Sequence, residues 1–301
     1  MNAVTKTLDP QTRIQFRNIL FLTDFSPAAS AAVPYAAEAA KRFGAKLYAL
    51  HVRARAINPM TQPVTWVALE QVAEREREQQ IETLKKEFSG MQPDIVVEEG
   101  ELWPVMQFLV EKHKIDLIVL GTRGRSGLSK FFLGSTAEEV FRLAPCAVMT
   151  VGPHSNGEPM RSGEFKKILY ATDFGPASEA AATLAVSMAQ EFQARLTLLH
   201  VLEERKPNDL VQPEELITAS MNRLRKLVPS GADTWCAPHF RVEFGKAGET
   251  ILEAAKREKA DLIVLGVHRP AGLTGAATHL PVATAHKVVS HAGCPVLTVR
   301  A

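Results

Sequence analysis

NILFLTDFSPAASAAVPYAAEAAKRFGAKLYALHV runs from Asn18 to Val52, and KILYATDFGPASEAAATLAVSMAQEFQARLTLLHV runs from Lys167 to Val201. The second stretch follows the first at an offset of 149 residues (18 to 167) without a gap, and roughly half of its positions are identical. Each stretch reads strand, helix, strand. Ile19–Thr23 is a short apolar run, long enough for a buried strand. Ser26 can cap the helix that follows, and Pro27 sits at its first position, where a missing N–H does no harm. The helix is expected to run to Phe43, with Gly44 as its stop signal, and Lys46–Val52 is the second strand.

The repetition extends outward from these two stretches. Val97–Gly100 (VEEG) and Asp116–Gly121 (DLIVLG) return at an offset of 145 residues (97 to 242) as Val242–Gly245 (VEFG) and Asp261–Gly266 (DLIVLG). Ala144–Val151 (APCAVMTV) pairs with Ala292–Val299 (AGCPVLTV). A repeat of this length is a domain rather than a solenoid unit. The 301 residues therefore divide into a first domain over 1–152, a linker over 153–164 and a second domain over 165–301. The stretch Gly152–Glu164 (GPHSNGEPMRSGE) is rich in Gly, Pro and Ser, as an exposed linker should be.

Within the first copy, a charged helix is expected over about Val67 to Phe88, then a strand at Asp94–Glu99 and a helix at Pro104–His113. A strand at Leu117–Gly121, a helix at Ala137–Leu143 and a strand at Ala147–Val151 complete it. Near-continuous apolar strands separated by helices argue for α/β domains built on a parallel, doubly wound sheet.

Composition narrows the function. Lys+Arg is 35 against Asp+Glu 33, a net charge of +2, which argues against a general nucleic-acid binder. No apolar run reaches the length of a membrane span, and Met1–Asp9 lacks the apolar core of a secretory signal. Three widely spaced cysteines make no disulfide framework, so a reduced, cytoplasmic protein is expected. Cys146 and Cys294 occupy equivalent positions and read as small buried hydrophobes.

The strand at Leu117–Gly121 runs into a loop, Gly121-Thr-Arg-Gly124-Arg-Ser-Gly-Leu-Ser-Lys-Phe-Phe-Leu-Gly134-Ser135-Thr136, at whose end a helix begins. A helix N-terminus offers unbonded N–H groups and the positive end of the dipole, which suit an anion. Ser135 and Thr136 add hydroxyls, and Arg123, Arg125 and Lys130 add charge. The competing reading is a glycine-bearing connector with its basic residues in solvent. Asp24 follows the first strand. In a doubly wound sheet, ligands lie beyond the carboxyl ends of the strands where the strand order reverses; if the first and fourth strands are neighbours there, Asp24 and this loop face one cleft. A carboxylate there can accept from a ribose hydroxyl or base amine; otherwise it simply satisfies N–H groups at the helix start.

These residues resemble the universal stress protein family in tandem form, over nearly the whole chain. The resemblance rests on Leu22-Thr-Asp24-Phe-Ser-Pro27, on Leu50-His-Val52, on Ala-Pro-Cys146 and on the glycine spacing. Gly121, Gly124, Gly134 and Ser135 fit the family's nucleotide motif of Gly, two residues, Gly, nine residues, Gly, then Ser or Thr. The resemblance implies two Rossmann-like sheets of strand order 3-2-1-4-5. It implies ATP, or ADP or AMP, in the first domain, with magnesium possible beside the phosphates. Asp24 would contact the ribose or adenine, the Val52 backbone would pair with the adenine edge, and Gly121, Arg123, Gly124, Gly134, Ser135 and Thr136 would line the phosphates. It also implies that Ala147–Val151 and Pro295–Val299 pair to make a pseudo-dimer of the halves, with a homodimer of whole chains as a further option.

The second copy departs from the motif. Gly266 is kept, but Arg269 stands where Gly124 does, the loop before Cys294 is longer, and no Gly-Ser pair replaces Gly134-Ser135. The second domain is therefore expected to have lost ordinary ATP binding or to take something else. His200, His239, His268, His279, His286 and His291 all lie in this copy, yet no paired Cys-x-x-Cys or His-x-x-x-His supports a metal. His200 repeats His51 and reads as strand scaffold, and Trp66, Trp103 and Trp235 read as packing residues. No G-x-S-x-G or H-E-x-x-H is present, so turnover beyond slow ATP hydrolysis is not expected. The expected role is a nucleotide-binding regulatory or protective protein of the stress-response type, against a weak ATPase or a nucleotide-independent scaffold.

Overall fold

The computed structural model describes residues 15–53, 63–122, 133–152, 164–203, 212–232, 236–267 and 279–300. The first half comprises β1 (Asn18–Leu22), α1 (Pro27–Phe43), β2 (Lys46–Arg53), α2 (Pro63–Glu87), β3 (Asp94–Glu99), α3 (Leu102–His113), β4 (Leu117–Gly121), α4 (Ser135–Leu143) and β5 (Ala147–Val151). The second comprises β6 (Lys167–Thr172), α5 (Pro176–Phe192), β7 (Arg195–Leu202), α6 (Pro213–Lys226), β8 (His239–Phe244), α7 (Ala247–Glu258), β9 (Leu262–Val267), α8 (His279–His291) and β10 (Val296–Arg300).

The ten strands form one sheet in the order β3-β2-β1-β4-β5-β10-β9-β6-β7-β8. Each half thus has the expected order 3-2-1-4-5, with every pairing inside a half parallel. β1 pairs with β2 on one side and β4 on the other, so the chain changes winding direction at β1/β4. That makes a crevice beyond the carboxyl ends of these two strands. Helices cover both faces, which is why β1 and β4 are apolar at nearly every position rather than alternating.

The halves join through β5 and β10, the one antiparallel pair among the described residues, in register Thr150↔Val296, Met149↔Leu297 and Val148↔Thr298. Two buried hydroxyls are satisfied reciprocally across this seam. Thr150 Oγ1 donates to Val296 O and Thr298 Oγ1 donates to Val148 O, each at 3.2 Å. Such reciprocity is what a two-fold interface produces, here within one chain. On one sheet face, Phe165 stacks on Tyr35 at 6.0 Å and meets Phe192 edge-on at 5.0 Å, so the apolar core runs across the boundary between halves.

Several boundaries differ from the sequence reading. β1 ends at Leu22 instead of Thr23, because the chain turns there although Thr23 N still donates to Leu50 O. β2 continues to Arg53 because β3 pairs with it that far. α2 begins at Pro63 rather than Val67, and α3 at Leu102 rather than Pro104; a proline is tolerated in a first helical turn. α4 begins at Ser135 rather than Ala137, since Gly134 is extended (φ −63°, ψ 150°) and acts as its N-cap. α4 stops at Leu143, as Ala144 is held extended before Pro145.

Candidate functional site

One wall of the crevice is the turn Thr23-Asp24-Phe25. Phe25 has φ +57°, a left-handed conformation that a bulky residue rarely adopts. Four contacts hold it there. Thr23 Oγ1 accepts from Phe25 N at 2.9 Å, and Asp24 Oδ1 accepts from Ser26 N at 3.0 Å. The buried imidazole of His51 lies 2.8 Å from Thr23 O through Nδ1, and its ring meets that of Phe25 at 4.7 Å. A carbonyl only accepts, so Nδ1 of His51 carries the proton. Ser26 Oγ then accepts from Ala29 N at 3.2 Å and caps α1, with Pro27 at the first position.

The same turn is rebuilt in the second half. Phe174 has φ +61°, Thr172 Oγ1 accepts from Phe174 N at 2.9 Å, and Asp173 Oδ1 accepts from Gly175 N at 2.8 Å. His200 Nδ1 lies 2.8 Å from Thr172 O, and burial pushes its pKa below the usual imidazole value, the Thr172 bond opposing. Both histidines thus position the turn.

The facing wall comes from β4 and α4. A Cβ built on Gly121 would lie 2.5 Å from Ala28 C and O and 2.8 Å from Ala29 N. The glycine lets the first turn of α1 lie directly against the end of β4. Thr122 N donates to Val151 O, and Gly134 N donates to Thr122 O at 2.8 Å, so the two ends of the loop are tied together. No side chain caps α4 at Gly134, and its first internal bond is Glu138 N to Gly134 O at 2.8 Å. The N–H groups of Ser135, Thr136 and Ala137 precede that bond, which leaves them outside the helical ladder.

Between the walls lies a cavity of about 160 Å³ with Asp24, Leu50, Val52, Leu102, Leu120, Gly121, Gly134, Ser135 and Thr136 on its surface. Val52 lines it too. Leu50 O accepts from Thr23 N, so the strand period points the N–H and C=O of Val52 toward the same side, beyond the end of β1. The structure therefore brings Asp24, Val52, Gly121, Gly134, Ser135 and Thr136 together. Arg123 and Gly124 lie outside the described residues, as do Arg125, Lys130, Trp235, His268 and the linker residues 153–163.

A second cavity, of about 230 Å³, occupies the corresponding place in the other half, with Asp173, Leu199, Val201, Glu203, Gly266, Thr284 and Ala285 on its surface. Here Ser178 replaces Ala29, and its hydroxyl donates to Asp173 Oδ1 at 2.6 Å. The sequence reading missed this bond, although the Ala29/Ser178 exchange is visible in the aligned repeats. Elsewhere, Trp103 packs against the core, and burial pushes the thiols of Cys146 and Cys294 up to about 12. Among the described residues, no three His, Cys, Asp or Glu side chains are grouped to hold a metal ion, and no helix is long and apolar enough to cross a membrane.

Comparison with known proteins agrees with this architecture. A protein of Mycolicibacterium smegmatis named as a universal stress protein is 28% identical over 297 residues, covering 94% of this chain and 96% of its own. A universal stress protein of Methanocaldococcus jannaschii is 31% identical over 141 residues, 45% of this chain and 82% of its own. The crystal structure of a universal stress protein from Archaeoglobus fulgidus superposes with a TM-score of 0.68 at 18% identity, covering 95% of this chain and 99% of that one; it shares the fold. The model of the universal stress protein family matches twice, over residues 15–152 and 164–300. The chain belongs to the universal stress protein family and carries two of its domains in tandem.

Proposed function

We propose that the first half binds an adenine nucleotide, with ATP as its main ligand and ADP or AMP as weaker ones. The observation that carries this is the uncapped N-terminus of α4, where the amides of Ser135, Thr136 and Ala137 meet the crevice opposite Asp24. Those amides and the dipole behind them suit a phosphate chain. Leu22, Leu50, Leu102 and Leu120 offer an apolar slot for a base, and the Val52 backbone presents a donor and an acceptor to a base edge. Asp24 would accept from a ribose hydroxyl. Arg123 and Gly124 complete the motif by sequence spacing. Magnesium, when bound, would screen the phosphate charge from Asp24. The role of the nucleotide is regulatory: a ligand that binds one state of the protein better than another shifts the population of shapes or assemblies. Cys146 and Cys294 are free thiols, which suits a reduced, cytoplasmic setting.

The test is to identify the nucleotide in freshly purified protein by mass spectrometry and then to titrate ATP into wild type and Ser135→Asp. A carboxylate at the start of α4 favours the helix but repels phosphate, so the variant should melt no lower than wild type yet bind ATP at least about tenfold more weakly. Equal ATP affinity in the two proteins would overturn the assignment of the phosphates to α4. Phosphate release measured alongside decides between a sensor and a slow ATPase.

A further inference from the structure

The second cleft differs from the first in one decisive respect. Thr284 occupies the place of Thr136 at an offset of 148 residues (136 to 284), but α8 begins at His279, so Thr284 is its sixth residue. An α-helix leaves only its first four N–H groups outside the ladder. The amides of Thr284 and Ala285, which line the cleft, are therefore consumed inside the helix, and Val282 and Ala283 stand where Gly134 and Ser135 do. Unlike α4 in the first cleft, α8 presents no terminus to the ligand space. The lining also carries two carboxylates, Asp173 and Glu203, and no Lys, Arg or His among its described residues. What remains is apolar: Ala171, Leu199, Ile251 and Leu265.

We propose that this cleft binds an unphosphorylated purine nucleoside and rejects the nucleotide. The apolar slot takes the ring system, while Thr284 and the carboxylate of Glu203 accept from hydroxyl or amine groups. A phosphate would meet negative charge without the amides that α4 offers in the first cleft. The choice of a purine rests on the reading of the first cleft, since Leu199 and Val201 repeat Leu50 and Val52; the exclusion of phosphate rests on α8 and Glu203 alone.

Calorimetric titration of the full chain with adenosine and, separately, with ATP tests it. Adenosine should saturate at two per chain and ATP at one. Ala247→Phe, which fills the second cleft from the first turn of α7, should remove one adenosine and leave ATP binding unchanged. If ATP fails to bind while Ala247→Phe still removes adenosine, the reading of the first cleft falls and this one stands. ATP saturating at two per chain overturns the proposal. So does adenosine limited to one per chain and displaced by ATP, or no adenosine binding at all. Those wild-type stoichiometries decide the matter even if the variant does not fold.

Discussion

Replacing Gly121 by alanine separates two reasons for a glycine at that position. If it serves only to let a phosphate approach, the ligand-free protein should tolerate a methyl group. The geometry says otherwise. The new Cβ would lie 2.5 Å from the carbonyl carbon and oxygen of Ala28, where ordinary contact begins at 3.4 Å, so α1 and β4 must part by about 0.9 Å (3.4 less 2.5). The atoms in the way are backbone, and they belong to a turn already fixed by the Ser26 cap, Pro27 and the left-handed Phe25. Overpacking of this kind costs about 1–3 kcal/mol. At roughly 2–4 °C per kcal/mol for chains of this size, ligand-free Gly121→Ala should melt about 2–12 °C lower. Gly266→Ala should do the same, since its Cβ would lie 2.4 Å from Ala177 C and Ser178 N. Scanning calorimetry or fluorimetry without nucleotide measures both. A fall below about 1 °C in both variants, with ATP binding lost in Gly121→Ala, would refute the steric account and return the glycine to the ligand.

Two further outcomes are expected. Ser26→Ala should cost about 1 kcal/mol in urea denaturation and Ser26→Gly only a few tenths, because glycine is itself an acceptable N-cap and stands at that place in the second half as Gly175; equal losses would count against the cap. His200 is held neutral by burial, with its folded pKa below the unfolded one. Its contribution is therefore fully present above the usual imidazole value of about 6.5 and is lost as pH falls from there through the folded pKa. Urea midpoints should drop between pH 7 and pH 5 (about the imidazole range), and His200→Gln should flatten that drop; an unaltered slope in the variant would assign the acid sensitivity elsewhere.

The sequence carries the architecture because the chain states it twice. The Thr-Asp-Phe turns, the Leu-His-Val strands and the DLIVLG strands recur at fixed offsets, so two α/β domains with parallel sheets follow from the residues, while the strand order comes from the family resemblance. The Ser26–Pro27 start and Gly44 stop of α1 were legible because caps are local chemistry. Three features were not. A phenylalanine at positive φ contradicts its own propensity, and part of what holds it is tertiary, the His51 bond to Thr23 O and the ring contact with His51. Gly121 was legible as a glycine of the loop motif, whereas its contact with Ala28 spans residues remote in sequence. The early start of α8 was hidden by Pro281, which sits near the helix start without ending it.

Duplication supplies an internal control on what each residue is for. A residue kept in both halves, although the loop motif is not, belongs to the scaffold. His51 and His200 each hold a turn carbonyl, and Gly121 and Gly266 each admit a helix backbone. Asp116 accepts from Arg17 N and Asn18 N, just as Asp261 accepts from Lys166 N and Lys167 N. Residues that differ at equivalent places are where the chemistry of the clefts can diverge: Ala29 against Ser178, Gly134-Ser135 against Val282-Ala283, and the first turn of α4 against the interior of α8. Asp24 and Asp173 stand between these classes. Both accept a backbone N–H at the helix start, and Asp173 also accepts from the hydroxyl of Ser178. The bond from Ser178 occupies Oδ1, the oxygen that also receives Gly175 N, so the second carboxylate is drawn toward α5. Restoring the first half's arrangement with Ser178→Ala would free that lone pair without supplying the missing amides of α8. On the proposed reading, a cleft relieved in this way would still lack the amides that α4 offers, so phosphate selectivity would follow the start of that helix rather than the aspartate.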